Sequence, residues 1–273
     1  MNTDQISQAF LTDPTSSFVQ FLDRHYPNLL PISTPSSRSP DLSPTATTIV
    51  TVITADAVVI AGDRRATVGS MISQRDIRKV FVADDYSAIG IAGSAGMAMD
   101  LIRLFCLELE HYEKIEGIPL TLEGKANRLS SMVRGNLALA LQGFVIVPLF
   151  VGWDCGQRRP RIFSIDPTGG LYEETGYCAI GSGSVFAKGS LKKLYDPKAS
   201  LETGIEVCIQ ALFDAADDDC ATGGPDVLRR IYPLVITVSS QGACQIPDDS
   251  IARVTKAVLK TRAVRADGPE AKL

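Results

Sequence analysis

Histidine is almost missing from this chain. Its 273 residues hold two, His25 and His111, and neither stands near a plausible nucleophile or in metal-ligand spacing. A Ser/His/Asp triad or a Cys/His dyad is therefore hard to assemble, and neither a metal nor a cofactor is expected. Cysteines are present but follow no pairing pattern: Cys106, Cys155, Cys178, Cys208, Cys220 and Cys244 are scattered without a CxxC pair. That predicts reduced thiols rather than a disulfide framework or a zinc site. Long apolar runs are absent too. The longest, Phe144 to Trp153, falls far short of the roughly 20 residues that a membrane-spanning helix needs, so no membrane association is expected. The opening MNTDQISQAF lacks the basic start and apolar run of a secretory signal, which predicts a cytoplasmic protein. Nor does charge of one sign dominate. Twenty-seven Lys and Arg against 31 Asp and Glu leave a net charge of -4 and no long basic run, which argues against a nucleic-acid partner.

What is present is the composition of a globular protein, 45% hydrophobic and 21% charged, long enough for one large domain or two small ones. Residues 31–46, PISTPSSRSPDLSPTA, contain eleven Pro, Ser or Thr in sixteen, a composition that resists helix and sheet and reads as a linker. Before it, Ser16 and Ser17 are positioned to cap a short amphipathic helix carrying Phe18, Phe21 and Leu22.

After the linker the texture turns β-branched. TIVTVIT (48–54) and AVVIAGD (57–63) read as a hairpin, and KVFVADD (79–85) with SAIGIAG (87–93) as a second pair. Helical spacing follows in Met97, Leu101, Leu104 and Phe105, then in Leu122, Ala126, Leu129, Val133 and Leu137. Strands return at 145–153, 161–166 and 171–181, the last two separated by PTGG. A helix is expected from near Ser184. Another begins near Ser200, carries Ile205, Cys208, Ile209 and Leu212, and ends in the cluster Asp217, Asp218, Asp219. A strand pair around YPLVITVSS and the QGA turn precedes a closing helix, ARVTKAVLKTR, and a frayed tail. Antiparallel strand pairs alternating with paired helices predict an α+β, four-layer αββα sandwich of two stacked antiparallel sheets.

Seven short segments then fall into one order: TTIV (47–50), GDRRAT (62–67), RKV (78–80), IAG (91–93), FSID (163–166), GSGS (181–184) and DCATGG (219–224). In this order and spacing the chain resembles the β subunits of the 20S proteasome, threonine peptidases of the N-terminal nucleophile hydrolase superfamily. The leader and the ATGGPD stretch look most like the actinobacterial type. Singly, the segments say little. A threonine is common in a Pro/Ser/Thr-rich stretch, Asp63 and Lys79 alone read as an ordinary ion pair, and GSGS as a flexible turn. GSGSVFAKGS also fails as a phosphate loop, because it runs Lys-Gly-Ser where that motif needs Gly-Lys-Ser/Thr. The specificity lies in their joint register along the body.

The resemblance implies a division into a leader, 1–46, removed by autoprocessing, a catalytic domain, 47–262, and a flexible tail, 263–273. It makes Thr47 the nucleophile once the chain is cut at Ala46-Thr47. A threonine hydroxyl is a poor nucleophile without a base, and a chain-terminal amine, with a pKa of about 7.7–8.0, supplies the base that histidine does not. Asp63 stands sixteen residues after Thr47, and Lys79 sixteen after Asp63. On neighbouring strands they would form a partly buried pair beside the hydroxyl. By resemblance Gly93 offers its backbone N–H to the developing oxyanion, and Ser182, Asp219 and Thr222 form the shell that orients the amine. Ala66, Thr67, Ile77, Ile91 and Ala95 are implied to line an apolar substrate pocket, with Thr67 giving backbone groups to an extended peptide. One residue departs from the family pattern: Ala46 stands where Gly is usual, so slower processing is expected. The implied partners are identical β subunits in a seven-membered ring, α subunits, an energy-dependent unfolding ATPase and polypeptide substrates. Two alternatives remain, a noncatalytic ring-building subunit and a two-ring threonine peptidase without α subunits. The first is expected to lack Thr47, Asp63 or Lys79; the second usually reads GDGQ where this chain has GDRR.

Overall fold

A computed structural model describes residues 47–269. The linker, the expected helix at 18–22 and residues 270–273 lie outside the described residues.

Twelve strands are ordered along the described chain as two five-stranded antiparallel sheets and one small hairpin. The first sheet contains β1 (Thr48–Ile53), β2 (Ala57–Gly62), β10 (Tyr177–Gly181), β11 (Leu234–Ser239) and β12 (Gly242–Gln245), in the order β10-β1-β2-β11-β12. The second contains β5 (Val80–Asp84), β6 (Ser87–Gly93), β7 (Ile146–Asp154), β8 (Arg159–Ile165) and β9 (Leu171–Glu174), in sequence order. Six helices flank them: α1 (Ala95–Glu116), α2 (Leu122–Gly135), α3 (Leu137–Ala140), α4 (Ser184–Leu194), α5 (Leu201–Asp218) and α6 (Asp248–Val264).

The period of two along each strand explains the layering. In β1 and β2, Ile49, Val58 and Ile60 point inward to meet Val80, Ala88, Leu149 and Ile162 of the facing sheet. Their alternates, Val50, Val52, Val59 and Ala61, point outward into a core completed by Leu191 of α4, Ile209 and Leu212 of α5 and Val258 of α6. On the other side Ile89, Phe150 and Phe163 pack on Leu101 and Phe105 of α1 and Leu129 of α2. Phe105 meets Phe150 edge to face at 5.7 Å between ring centroids. Both faces of the central strands are thus covered, so these strands read as continuous apolar runs. Burying each large side chain contributes about 1.5–3 kcal/mol. The four layers, helix, sheet, sheet and helix, are the α+β sandwich of the N-terminal nucleophile hydrolases.

Four elements differ from the sequence reading. Residues 171–181 are two strands: β9 edges the second sheet, and β10 pairs with β1 in the first, with the chain changing sheets at Thr175–Gly176. Leu137 belongs to the separate short α3, because α2 ends at Gly135 and Asn136 leaves the helix with its N–H bonded to the Val133 carbonyl. A hairpin, β3 (Ala66–Val68) with β4 (Met71–Gln74), occupies a stretch that carried no strand signal, β4 being exposed throughout. The closing helix begins at Asp248, with Asp248 and Asp249 favourably placed at its N-terminus, and runs to Val264, two residues past the expected boundary.

Candidate active site

Thr47 immediately precedes β1, and the groups around it come from both sheets. The β1–β2 pairing places Asp63, just past the end of β2, beside the start of β1, where the Asp63 N–H donates to the Thr48 carbonyl at 3.1 Å. The Thr48 N–H donates in turn to Asp63 Oδ1 at 2.9 Å. Lys79 sits just before β5 in the facing sheet. Its Nζ reaches Asp63 Oδ1 at 2.6 Å and also donates to the Arg65 carbonyl oxygen. The sequence puts the pair on neighbouring strands and partly buried. It instead bridges the two sheets, with side chains 5% exposed for Lys79 and 0% for Asp63. Asp63 Oδ2 accepts two further backbone bonds, from Arg65 N at 2.9 Å and Gly223 N at 2.8 Å. A buried carboxylate so fully served is held in one orientation. Burial pushes the Lys79 ammonium below its ordinary pKa, while the charge and hydrogen bond of Asp63 oppose that shift.

A second cluster closes on Thr47 from the other side. The Ser182 N–H donates to the Thr47 carbonyl at 2.9 Å. Asp219 Oδ2 accepts from Ser182 Oγ and from Thr222 Oγ1, each at 2.6 Å, and Oδ1 accepts from Ala221 N at 3.1 Å. Asp219 caps the C-terminal end of α5 in an extended conformation, which turns its side chain out of the helix register. Burial works to raise its pKa, but the hydroxyls of Ser182 and Thr222, the Ala221 N–H and the charge of Lys79 outweigh it and hold the carboxyl below its usual value. Close approach here depends on glycine. At Gly181, with φ of +97°, a Cβ would lie 1.8 Å from the Thr47 carbonyl oxygen. At Gly93, with φ of +112°, it would lie 2.1 Å from the Val145 carbonyl oxygen, so the turn from β6 into α1 requires glycine.

Thr47, Lys79 and Gly93 open onto one pocket of about 350 Å³ empty volume. Ala66, Ile77, Ile91 and Ala95 line it, together with Arg78, Phe81 and Met99. Thr67 does not line this pocket; it lies in β3 opposite Ile72. Met99 lies one helical turn from Ala95 on α1, a spacing visible in the sequence, whereas Phe81 requires knowing which face of β5 looks toward Thr47. Among the described residues no cluster of three or more His, Cys, Asp or Glu is arranged to hold a metal ion.

Two residues that the sequence does not single out, Arg65 and Thr48, tie the site together. Arg65 donates from Nη1 to the carbonyls of Cys220 and Thr222, both at 3.0 Å, and so locks the 219–223 loop against Asp63. Thr48 Oγ1 bonds to Thr222 Oγ1 at 2.6 Å and accepts from Gly183 N at 3.0 Å. Both residues stand inside quoted motifs, but nothing in a linear motif says which way they bond.

Known proteins resemble this chain along most of its length. A family profile of proteasome subunits matches residues 43–229. A curated relative from Streptomyces griseus subsp. griseus, named "Proteasome subunit beta", is 50% identical over 274 aligned residues, covering 100% of this chain and 98% of the relative. No helix among the described residues is long and apolar enough to cross a membrane. The fold, the matched profile and full-length similarity together establish that the chain belongs to the proteasome subunit family, as a β subunit of the actinobacterial type.

Proposed function

We propose that this chain is the precursor of a catalytic β subunit, a threonine endopeptidase that removes residues 1–46 by its own chemistry. One observation carries the reading. Thr47 lines one pocket with Lys79 and Gly93, while Asp63 holds Lys79 and the Ser182–Asp219–Thr222 cluster reaches Thr47 through the Ser182 N–H. A noncatalytic subunit has no need of that arrangement.

The reaction follows from the groups present. In the precursor the Thr47 nitrogen is an amide, so water takes the hydroxyl proton while Oγ1 attacks the Ala46 carbonyl. The Ala46–Thr47 C–N bond breaks as the nitrogen takes up that proton, which leaves the leader as an ester on the side-chain oxygen and frees the α-amine; water then cleaves the ester and releases the leader. In later turns that amine accepts the hydroxyl proton as Oγ1 attacks a peptide carbonyl, the Lys79 charge favours loss of the proton, and Asp63 keeps Lys79 in place. The backbone N–H of Gly93 stabilises the oxyanion. The amine then passes the proton to the departing amino group, and water releases the acyl product. The pocket lining, Ala66, Ile77, Phe81, Ile91 and Met99, favours cleavage after bulky hydrophobic residues.

Assembly completes the proposal. By family, identical β subunits form a seven-membered ring, α subunits form outer rings, and an unfolding ATPase in the cytoplasm feeds unfolded chains to the enclosed sites. Co-expression with α subunits followed by intact mass and peptide hydrolysis tests it. The wild type is expected to begin at Thr47 and to be active. Thr47→Ala should remain unprocessed and lose at least about 10³-fold in activity. Undiminished hydrolysis by Thr47→Ala would refute the enzyme reading in favour of a ring-building subunit.

A further inference from the structure

Thr48, the residue after the proposed nucleophile, is 0% exposed and bonds to both halves of the site. Its N–H goes to Asp63 Oδ1, the same oxygen that receives Lys79 Nζ. Its hydroxyl lies 2.6 Å from Thr222 Oγ1 and accepts from Gly183 N at 3.0 Å. The direction of these bonds follows from proton counting. Asp219 is an ionised carboxylate and only accepts, so the single hydroxyl proton of Thr222 goes to Asp219 Oδ2, at 2.6 Å. Thr222 therefore accepts from Thr48, whose own lone pair is met by the Gly183 N–H. The result is a one-way chain, Gly183 N–H to Thr48 O–H to Thr222 O–H to Asp219, with Ser182 O–H entering from the other side at 2.6 Å.

This arrangement answers a problem that self-cleavage creates. A new chain end frays unless it is tied down, yet attack requires the Thr47 hydroxyl to be held to a fraction of an ångström. We propose that the Thr48 side chain is a positioning residue that pins Thr47 between the Asp63–Lys79 pair and the Ser182–Asp219–Thr222 cluster through this directed chain. The inference rests on the threonine-peptidase reading and adds a residue to it. Thr48 touches no reacting atom. It acts by keeping Thr222 in the one rotamer that both donates to Asp219 and accepts from Thr48, and by holding Gly183 next to Ser182, whose N–H grips the Thr47 carbonyl at 2.9 Å.

Valine replaces threonine in the same shape without its hydroxyl, leaving the buried Gly183 N–H without its acceptor and Thr222 without its donor. The full chain is co-expressed with α subunits as wild type, Thr48→Val, Thr48→Ser and Thr47→Ala, and each is read by intact mass, by kcat and KM on a short peptide, and by thermal midpoint. Thr48→Val is expected to lose roughly 10-fold or more in kcat per processed chain with KM within about 2-fold of wild type, and Thr48→Ser to recover most of that loss. If Thr48→Val assembles but is not trimmed while Thr48→Ser is, placement has failed one step earlier and the inference stands. Undiminished kcat in Thr48→Val, or a Thr48→Ser variant as impaired as Thr48→Val, overturns the inference while Thr47→Ala is inactive. Hydrolysis that survives Thr47→Ala overturns the enzyme reading itself, and this inference with it.

Discussion

Two lysine–aspartate pairs, each with a buried lysine, sit among the described residues at the same 2.6 Å, and they have different surroundings. Lys125 of α2 reaches Asp84 at the end of β5, whose other oxygen accepts from the Tyr86 N–H at 3.0 Å and the Ser87 hydroxyl at 2.7 Å. That pair fastens a helix to a tight turn and faces no pocket lined by Thr47. Lys79 and Asp63 bridge the sheets instead: Asp63 is saturated by backbone N–H groups, and Lys79 lines the pocket beside Thr47. Chemically identical pairs thus separate into a staple and a candidate catalytic device according to what lies next to them. A buried pair is weak evidence for stability and says nothing of function until its neighbours are known.

The sharpest way to break the comparison is to remove one lysine at a time. Lys79→Met should lower peptide hydrolysis by about 10²-fold or more, since the charge that favours loss of the Thr47 proton is gone. Lys125→Met should leave kcat unchanged and cost about 1–3 kcal/mol in denaturation, the penalty for a partly buried carboxylate that loses its cation. If the two variants exchanged these phenotypes, the assignment of roles would be wrong.

The pH dependence of stability reports on two charged groups near Thr47. The folded-state pKa of Lys79 lies below the 10.5 of an ordinary lysine, with burial the main cause. The unfolded chain therefore binds this proton more readily, and the cost of holding a buried ammonium disappears as pH rises from the folded value toward 10.5. Wild type should accordingly gain stability relative to Lys79→Met across that alkaline window, read from denaturation midpoints. The sign reverses for Asp219. Its folded pKa is depressed, so its contribution is complete above the ordinary carboxylate pKa of about 3.9 and fades as pH falls through the lower folded value. Asp219→Asn should flatten the acid limb of the stability profile.

Smaller effects belong to the pocket and to the cleavage site. Met99→Ala enlarges the lining opposite Thr47 and should shift preference toward bulkier residues by several-fold up to about 10-fold in kcat/KM, measured on a peptide panel. Ala46→Gly places before the cut the residue usual in the family, whose backbone is freer, and should speed leader removal by roughly 2–5-fold, followed by intact mass over time.

Much of this architecture is legible in the sequence wherever a local pattern has one meaning. The β1–β2 hairpin was readable because two β-branched runs flank Ala55–Asp56, and their buried outer and inner faces explain why the runs show no polar alternation. Motif register singles out Thr47, Asp63 and Lys79; in the structure Lys79 pairs with Asp63 and lines a pocket with Thr47. The change of sheet at Thr175–Gly176 was not legible, because pairing of β10 with β1 is fixed by residues some 130 positions earlier. The hairpin at 66–74 was missed because β4 buries no side chain and so leaves no hydrophobic period. Arg65 and Thr48 are illegible for a third reason: the guanidinium of Arg65 bonds to loop carbonyls, and the hydroxyl of Thr48 bonds to the Gly183 N–H and the Thr222 hydroxyl, partners that only the folded chain brings within reach.

The central claim is that the uncovered amine of Thr47 is the proton acceptor for its own hydroxyl. The most direct test is selective acylation of that amine in fully processed particles, with peptide turnover followed against the fraction of chains capped by intact mass. Activity falling in proportion to capping is the predicted result. Particles that are completely capped yet hydrolyse peptide at the uncapped rate would contradict the account.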